Sequence, residues 1–252
     1  MRHLFSLKGR KVLSRYAASR VVVALDFDGT LAPIVDDPAR AVIRSGTRVL
    51  LRHVTARYPC AVISGRGRRD VLVLVKGTGV SCVVGNHGLE WPGDHAGSSR
   101  VRGQVRRMAR ALKAVLAALP GVVLENKGYS IAVHYRGSKN KDATRVAIRA
   151  AVAALGACRI TGGKYVINVL PIGDHHKGTA LARIMEECGC DTAIYVGDDV
   201  TDEEAFAAAR GAEVLTVRVG YCRASRAEYC LRSQREIDRF LALLAGLRPR
   251  AS

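Results

Sequence analysis

Asp26-Phe27-Asp28-Gly29-Thr30 follows a run of five apolar residues, Val21 to Leu25. Alternate side chains of an extended segment point to one side, so the two aspartates are expected to share a neighbourhood. Their charges then repel unless a cation or a shared proton intervenes. A divalent metal is the natural compensation. The plainer alternative is a pair of turn-forming aspartates in a loop, but the buried strand before them and Thr30 after them favour the metal. A second acidic cluster, Gly197-Asp198-Asp199-Val200-Thr201-Asp202, closes a second apolar run from Thr192 to Val196. Asp198, directly at the strand end, reads as a metal ligand, because Mg2+ takes hard oxygen donors and keeps positions for water and phosphate oxygens. Glu203 and Glu204 read instead as acids in the first turn of a helix.

Two further segments belong with these. Ser64-Gly65-Arg66, after the run Cys60 to Ile63, offers a hydroxyl and backbone N–H groups in a turn, the sort of nest that holds a phosphate oxygen. Lys177 stands where a helix begins, electrostatically the wrong end for a cation, and a phosphate or Asp202 would account for it. An exposed lysine is the alternative. His175 and His176 read as loop residues, since nothing pairs them at metal-ligand spacing. The sequence contains no GxxxxGK[ST] loop, no GxGxxG and no GxSxG, which argues against P-loop, dinucleotide and serine-hydrolase sites.

The elements that must position these residues follow from the apolar pattern. Short continuous apolar runs at Val21 to Leu25, Cys60 to Ile63, Ser81 to Val84 and Thr192 to Val196 read as strands buried on both faces of a parallel sheet. Each ends in a polar or glycine-rich turn, so four candidate loops share the carboxyl edge of one α/β sheet. Between Arg100 and Pro171 the rhythm changes to helix and hairpin, twice over. Val101 to Leu119 and Lys141 to Leu155 read as helices; Gly121 to Arg136 and Cys158 to Leu170 read as strand pairs turning at Lys127-Gly128 and Gly162-Gly163. The expected organisation is an α/β core of residues 1–99 and 171–252, interrupted by an α+β domain of residues 100–170. Gly93 to Ser99 and Pro171-Ile172-Gly173 would be the linkers. Helices at His176 to Cys188, Thr201 to Arg210 and Ser233 to Leu247, and a strand at Glu213 to Val219, complete the core.

Composition limits the function classes. With 252 residues, 48% hydrophobic and 25% charged, the chain can bury a sizeable core, and no run is long enough to span a membrane. The first twenty residues lack a signal-like apolar core, and the seven cysteines are scattered, so free thiols in the cytoplasm are expected. The net charge of +18 raises the question of a nucleic acid or an anionic membrane as partner. With only 5% aromatic residues and no interleaving of basic and aromatic positions, solvated arginine-rich faces are the better account. The N-terminal segment, with Arg2, Lys8, Arg10, Lys11, Arg15 and Arg20 and no acid before Asp26, reads as a basic tail.

In this order, Asp26-x-Asp28-Gly29-Thr30, Ser64, Lys177 and Gly197-Asp198-Asp199-x-x-Asp202 resemble the motifs of the haloacid dehalogenase superfamily of phosphatases. The fuller wording, Asp26 to Ile34, Ile63 to Arg66, Gly85-Asn86-His87-Gly88 and Gly197 to Glu203, is similar to the trehalose-6-phosphate phosphatase family, over about Val21 to Val219. The resemblance implies a Rossmann-like parallel sheet with an inserted α+β cap, and hydrolysis of trehalose 6-phosphate through an aspartyl-phosphate. Asp26 would be the nucleophile, and Asp28 the acid and then the base. Asp26, the backbone carbonyl of Asp28 and Asp198 would hold Mg2+. Ser64 and Lys177 would hold the transferring oxygens, and Asp202 would orient Lys177 or a metal-bound water. Thr30, Gly65, Arg66, Asn86 and His87 join them as substrate-binding positions. In the cap, Glu125, Lys127, Arg136, Lys164 and Asn168 would contact the sugar. Asn168 stands where the family has glutamate, and Leu170 where a basic residue is more usual. An amide both donates and accepts and carries no charge, so a phosphatase for another sugar phosphate, of sucrose or of a glycosyl-glycerate, is the alternative. Besides the small-molecule sugar phosphate, a trehalose-phosphate synthase is the protein partner the resemblance suggests.

Overall fold

The basic N-terminal segment is folded rather than a tail. In the computed structural model, which describes residues 1–35, 37, 40–93, 96–163, 165–173, 175–208 and 213–248, β1 (Arg2–His3) and α1 (Leu7–Ala18) precede the first expected strand. The segment was hard to read because six cations and no acid are spread among its apolar residues. Their spacing nevertheless puts Gly9, Leu13, Tyr16 and Ala17 on a buried face of α1, while Lys8, Arg10, Lys11 and Arg15 stay exposed. Ser6 caps the helix by accepting from the Gly9 N–H at 3.1 Å.

The chain divides into two compact units, residues 1–92 with 176–252, and residues 93–175. After α1 the larger unit contains β2 (Val21–Leu25), α2 (Ser45–Thr55), β3 (Cys60–Ile63), α3 (Arg68–Leu74) and β4 (Cys82–Val84). The smaller unit follows with α4 (Ala96–Leu116), β5 (Val123–Asn126), β6 (Ile131–His134), α5 (Lys141–Ala153), β7 (Cys158–Gly163) and β8 (Val166–Pro171). The larger unit resumes with α6 (Lys177–Glu187), β9 (Thr192–Gly197), α7 (Asp202–Ala208), β10 (Val214–Val219), β11 (Tyr229–Leu231) and α8 (Glu236–Gly246).

Among the described residues the larger unit holds one parallel sheet in the order β1-β11-β10-β9-β2-β3-β4. Strand alternation assigns its two faces. Val21, Val23 and Leu25 of β2 pack with residues of α1, α2 and α8, such as Leu13, Leu51 and Phe240. Val22 and Ala24 pack on the opposite side with Leu181 and Ile184 of α6 and Phe206 of α7. This double covering is why the strands read as unbroken apolar runs. The chain leaves β2 towards β3 and β4 on one side, whereas β9 adds on the other, so a topological switch point falls between β2 and β9. Ligands of open α/β sheets bind at such a point, outside the carboxyl ends of the strands.

The smaller unit has an antiparallel sheet in the order β5-β6-β8-β7. One sheet face packs on α4 and α5, with Ile131, Val133, Ile167 and Val169 against Val105, Leu112, Ile148 and Val152. Some expected boundaries shift. Helix α4 takes in Ala96 to Ser99, which read as linker because Ala-Gly-Ser-Ser carries no apolar period; a formed helix propagates through such residues. Pro171 closes β8 rather than opening a linker, and α7 begins one residue later than expected, at Asp202. Two strands of two and three residues, β1 and β11, lay below what periodicity detects. Among the described residues no helix is long and apolar enough to cross a membrane.

Candidate active site

Asp26 leaves the end of β2 with its N–H donated to Val196 O at 2.9 Å, so it is still tied to β9. The chain then turns sharply: Gly29 N–H reaches Ala32 O at 2.8 Å and Ala32 N–H reaches Phe27 O at 2.9 Å. Gly29 adopts φ +75°, and a Cβ built there would stand 2.1 Å from Asp198 Oδ2. Only glycine lets this turn press against the loop after β9. The extended segment on which a shared side for Asp26 and Asp28 was expected ends at Leu25, and the two carboxylates part company. Asp26 is buried among acids; Asp28 is met by Arg66, whose Nε and Nη2 reach its two oxygens at 2.6 and 2.7 Å. Arg66 thus grips a carboxylate in the two-pronged manner suited to guanidinium.

Lys177 is the first residue of α6 and is fully buried. Its Nζ lies 3.0 Å from Asp26 Oδ1 and 2.8 Å from Asp202 Oδ1. Burial works against the ammonium, but Asp202 and Asp26 outweigh it and hold the Lys177 pKa above its ordinary value. The cation at a helix N-terminus therefore has its reason in two carboxylates from other loops. The helix end itself is satisfied by His176, which reads as a loop residue but acts as the N-cap. Its Nδ1 accepts from the N–H groups of Gly178 and Thr179 at 3.1 and 3.2 Å, and Thr179 Oγ1 accepts from the His176 N–H in return.

Asp202 is saturated. Its Oδ1 accepts from Lys177 and from the Tyr195 hydroxyl at 2.6 Å, and its Oδ2 accepts from the N–H groups of Asp198 and Asp199, both at 2.9 Å. It is a structural anchor for the loop rather than a carboxylate with coordination to spare. Gly197 permits this, because a Cβ there would fall 2.2 Å from the Asp202 carboxyl carbon. Glu203, expected as a first-turn acid alone, also pairs with Arg218 at 2.9 Å and accepts from the Arg226 N–H.

Carboxylate oxygens of Asp26, Asp198 and Asp202 lie within 4.8 Å of one another. Burial, then Asp202, pushes the Asp198 carboxyl up to about 7. Burial likewise raises Asp26, against the opposing pull of Lys177. Asp198 Oδ1 is buried without a hydrogen-bond partner among the described residues. Three carboxylates facing one ammonium leave an excess of negative charge, and a divalent cation on the oxygens of Asp26 and Asp198 would neutralise it. The donor set is all oxygen, which fits a hard cation such as Mg2+.

The loops after β3 and β4 are stitched together beside this cluster. The N–H of His87 donates to Ser64 O at 2.9 Å and that of Asn86 to Arg66 O at 2.8 Å. Ser64 is buried, and its Oγ accepts from the Arg66 N–H at 3.2 Å. Gly65 lies against the His87 ring, 2.5 Å from where its Cβ would be. Asn86 and His87 both take left-handed backbone, φ 49° and 58°, which is uncommon for residues with a Cβ. Glu90 holds the strained turn, accepting at one oxygen from Asn86 Nδ2 at 2.8 Å and from the Arg68 N–H at 2.6 Å. Thr30 is fully buried, and its hydroxyl has no partner among the described residues.

The larger unit thus gathers Asp26, Lys177, Asp198 and Asp202 in one charge cluster and sets Asp28 on Arg66. The other five expected positions belong to the smaller unit. Register places Glu125 opposite Ala132, Ala132 opposite Asn168 and Asn168 opposite Thr161, so Glu125 and Asn168 share one face of the sheet. Glu125 pairs with His134 Nε2 at 2.9 Å, and the Arg136 guanidinium lies 6.0 Å from the Tyr165 ring centre. Lys127 is half-buried just past β5, and Lys164 lies outside the described residues. Sequence reading missed Tyr195 and Glu90. A tyrosine inside a buried strand signals that its hydroxyl must find an acceptor; nothing comparable marks Glu90.

Comparison with known proteins identifies the family. Residues 24–234 match the family model described as trehalose-phosphatase. A trehalose-phosphate phosphatase of Mycolicibacterium paratuberculosis is 39% identical over 217 residues, covering 81% of this chain and 55% of that protein. This chain therefore spans little more than half the length of that relative. A probable trehalose-phosphate phosphatase 9 of Oryza sativa is 32% identical, covering 89% of this chain and 70% of that one. The C-terminal domain of a trehalose-6-phosphate phosphatase from C. albicans has the same fold, with a TM-score of 0.79 at 23% identity, covering 95% of this chain and 98% of that domain. With most of its length matched by the family model and with relatives of this closeness, the chain belongs to the trehalose-phosphatase family.

Proposed function

We propose that the chain hydrolyses trehalose 6-phosphate to trehalose and inorganic phosphate, in two steps through a phosphoryl group carried on Asp26. The observation that carries the reading is the buried Asp26 carboxylate at the switch point, fixed by Lys177 at 3.0 Å, with Lys177 fixed in turn by Asp202. In the first step an Asp26 oxygen bonds to phosphorus while the bond from phosphorus to the sugar oxygen breaks, and Asp28 gives its proton to that oxygen. In the second, Asp28 takes a proton from water, the water oxygen bonds to phosphorus, and the bond to Asp26 breaks. Arg66 reaches both Asp28 oxygens here, so one prong opens for that oxygen to carry and pass the proton, while the other keeps the carboxyl in place for both transfers. Lys177 and Ser64 stabilise the equatorial oxygens, where charge accumulates as the group transfers. Mg2+ held by Asp26, Asp198 and the Asp28 backbone carbonyl would supply further positive charge facing the phosphoryl group.

Residues 100–170, within the smaller unit, are read as the cap that recognises the sugar, through Glu125, Lys127, Arg136, Lys164 and Asn168. A second substrate is favoured by one observation. Asn168, neutral, occupies the same sheet face as Glu125, at the position where the family has a second acid. A differently hydroxylated sugar phosphate, of sucrose or of a glycosyl-glycerate, would suit that amide. The seven cysteines are all free thiols, which supports action in the cytoplasm; a synthase partner is part of the same reading. The test is phosphate release from trehalose 6-phosphate, sucrose 6-phosphate and glucose 6-phosphate, with Mg2+ and with EDTA. Metal-dependent release from the first alone is the expected result. Release from none, or release that survives Asp26→Asn, overturns the proposal.

A further inference from the structure

The smaller unit carries a cleft that none of the chemistry above uses. It lies between one stripe of α4 and the strand β5, and encloses about 610 Å³, inside the range of roughly 300–1,000 Å³ usual for binding clefts. Its floor is apolar: Ala109 and Leu116 from α4, Val122 and Leu124 from the strand side. Its helical rim is cationic. Arg106, Arg110 and Lys113 line it and are exposed. They repeat at helical spacing, so they present one row of charge.

Among the described residues β5 is the edge strand of its sheet and pairs only with β6. Edge strands are usually protected by lysine, proline or a bulge. The strand Val-Leu-Glu-Asn carries neither lysine nor proline, and Val123 is 62% exposed. We propose that this cleft docks an extended, acidic segment of another protein, which adds as a further strand alongside β5. The side chains on the face of that strand that looks towards α4 would enter the cleft, the apolar ones against its floor and the acidic ones against Arg106, Arg110 and Lys113.

Charge selects this occupant. From His95 to Leu124 the chain has six arginines and lysines and no acid, so the rim repels cationic partners. A second copy of this chain, with net charge +18, is a poor match for the same reason. Nucleic acid would look for aromatic surfaces to stack on, and no lining residue is aromatic. A membrane surface takes an apolar face that projects, whereas these apolar side chains line a recess beside an open strand.

The experiment uses the whole chain and a capped synthetic nonapeptide, Ser-Glu-Ser-Val-Ser-Glu-Ser-Val-Ser, which sets glutamate and valine on one face of the strand. Two rival probes accompany it: a single-stranded DNA oligonucleotide, and vesicles of phosphatidylserine with phosphatidylcholine. The peptide is expected to bind, more weakly as salt rises, and to slow amide exchange at Val123–Asn126. Arg106→Glu with Arg110→Glu, both at exposed positions, should weaken binding at least about tenfold and leave phosphate release unchanged. The same peptide N-methylated at every residue, which has no N–H group on either edge to pair as a strand, should not bind. No binding of the acidic peptide, equal binding by the double variant or by the methylated peptide, or binding of DNA or vesicles alone would each overturn the proposal.

Discussion

Asp198→Asn tests the electrostatic reading of the site directly, because its effect should shrink with metal. Burial and Asp202 lift the Asp198 carboxyl from its ordinary 3.8 to about 7. Below both values the group is protonated in folded and unfolded chains alike and contributes nothing. Between them the folded chain holds the proton more tightly, so stability falls as pH rises through this window and the full penalty is present above pH 7. A gap of about three units at about 1.4 kcal/mol each gives roughly 4 kcal/mol, and relaxation of the loop brings this nearer 2. Asparagine keeps the shape and removes the charge. In EDTA the variant should therefore be more stable than the parent by about 2–4 kcal/mol at pH 8 and nearly equal to it at pH 4. Mg2+ at about a hundred times its dissociation constant should stabilise the parent by about 2.7 kcal/mol and the variant far less. Urea unfolding at three pH values, with EDTA and with Mg2+, measures all of this. The reasoning fails if the variant is destabilised at pH 8 without metal, or if Mg2+ stabilises both proteins equally.

Lys177→Met leaves Asp26 and Asp202 buried without their cation, and should cost about 3–5 kcal/mol of stability and at least about a hundredfold in kcat; urea midpoints and single-turnover rates measure the two. Arg66→Lys cannot reproduce the two-pronged grip on Asp28, so kcat should fall about tenfold while stability changes little. Tyr195→Phe removes one of the donors to Asp202 Oδ1 and should cost about 1 kcal/mol, read by thermal unfolding. Gly29→Ala would push a Cβ to 2.1 Å from the Asp198 carboxylate; the stabilisation by Mg2+ should shrink, and equal stabilisation of parent and variant would refute the close approach as its cause.

How much of this was legible depended on the range of the interactions. The strands β2, β3 and β9 declare themselves because burial on both faces makes them unbroken apolar runs, and each ends at a polar loop. Asp26, Ser64 and Asp198 stand at those ends, so locating the strands located the site. α1 was not legible, because the core judges only its inward face, Gly9, Leu13, Tyr16 and Ala17, while composition counts its solvated cations as well. β1 and β11 were invisible for another reason: two and three residues pair only because neighbouring strands already present an edge. The meeting of Arg66 with Asp28 was equally out of reach, since it depends on the path of a turn and not on strand alternation.

Lys177 shows where local rules carry information by failing. A lysine at the first position of a helix opposes the helix dipole, and full burial opposes its charge again. Neither penalty can be relieved within α6, whose N-terminus is already satisfied by His176 and Thr179. Relief has to come from distant loops, and it does, from Asp26 and Asp202. Asp26 is in turn unfavourable where it stands, buried at the end of β2, and Asp202, although an acid suits the start of α7, is fully buried with its charge. Lys177 and Asp26 are poor choices for their own elements, and all three are good ones for the group. Folding alone does not require such a group, because well-packed apolar residues would serve stability as well or better. Local violations that cancel only across three separate loops, while leaving excess negative charge and a carboxylate oxygen without a partner among the described residues, mark a site kept for chemistry.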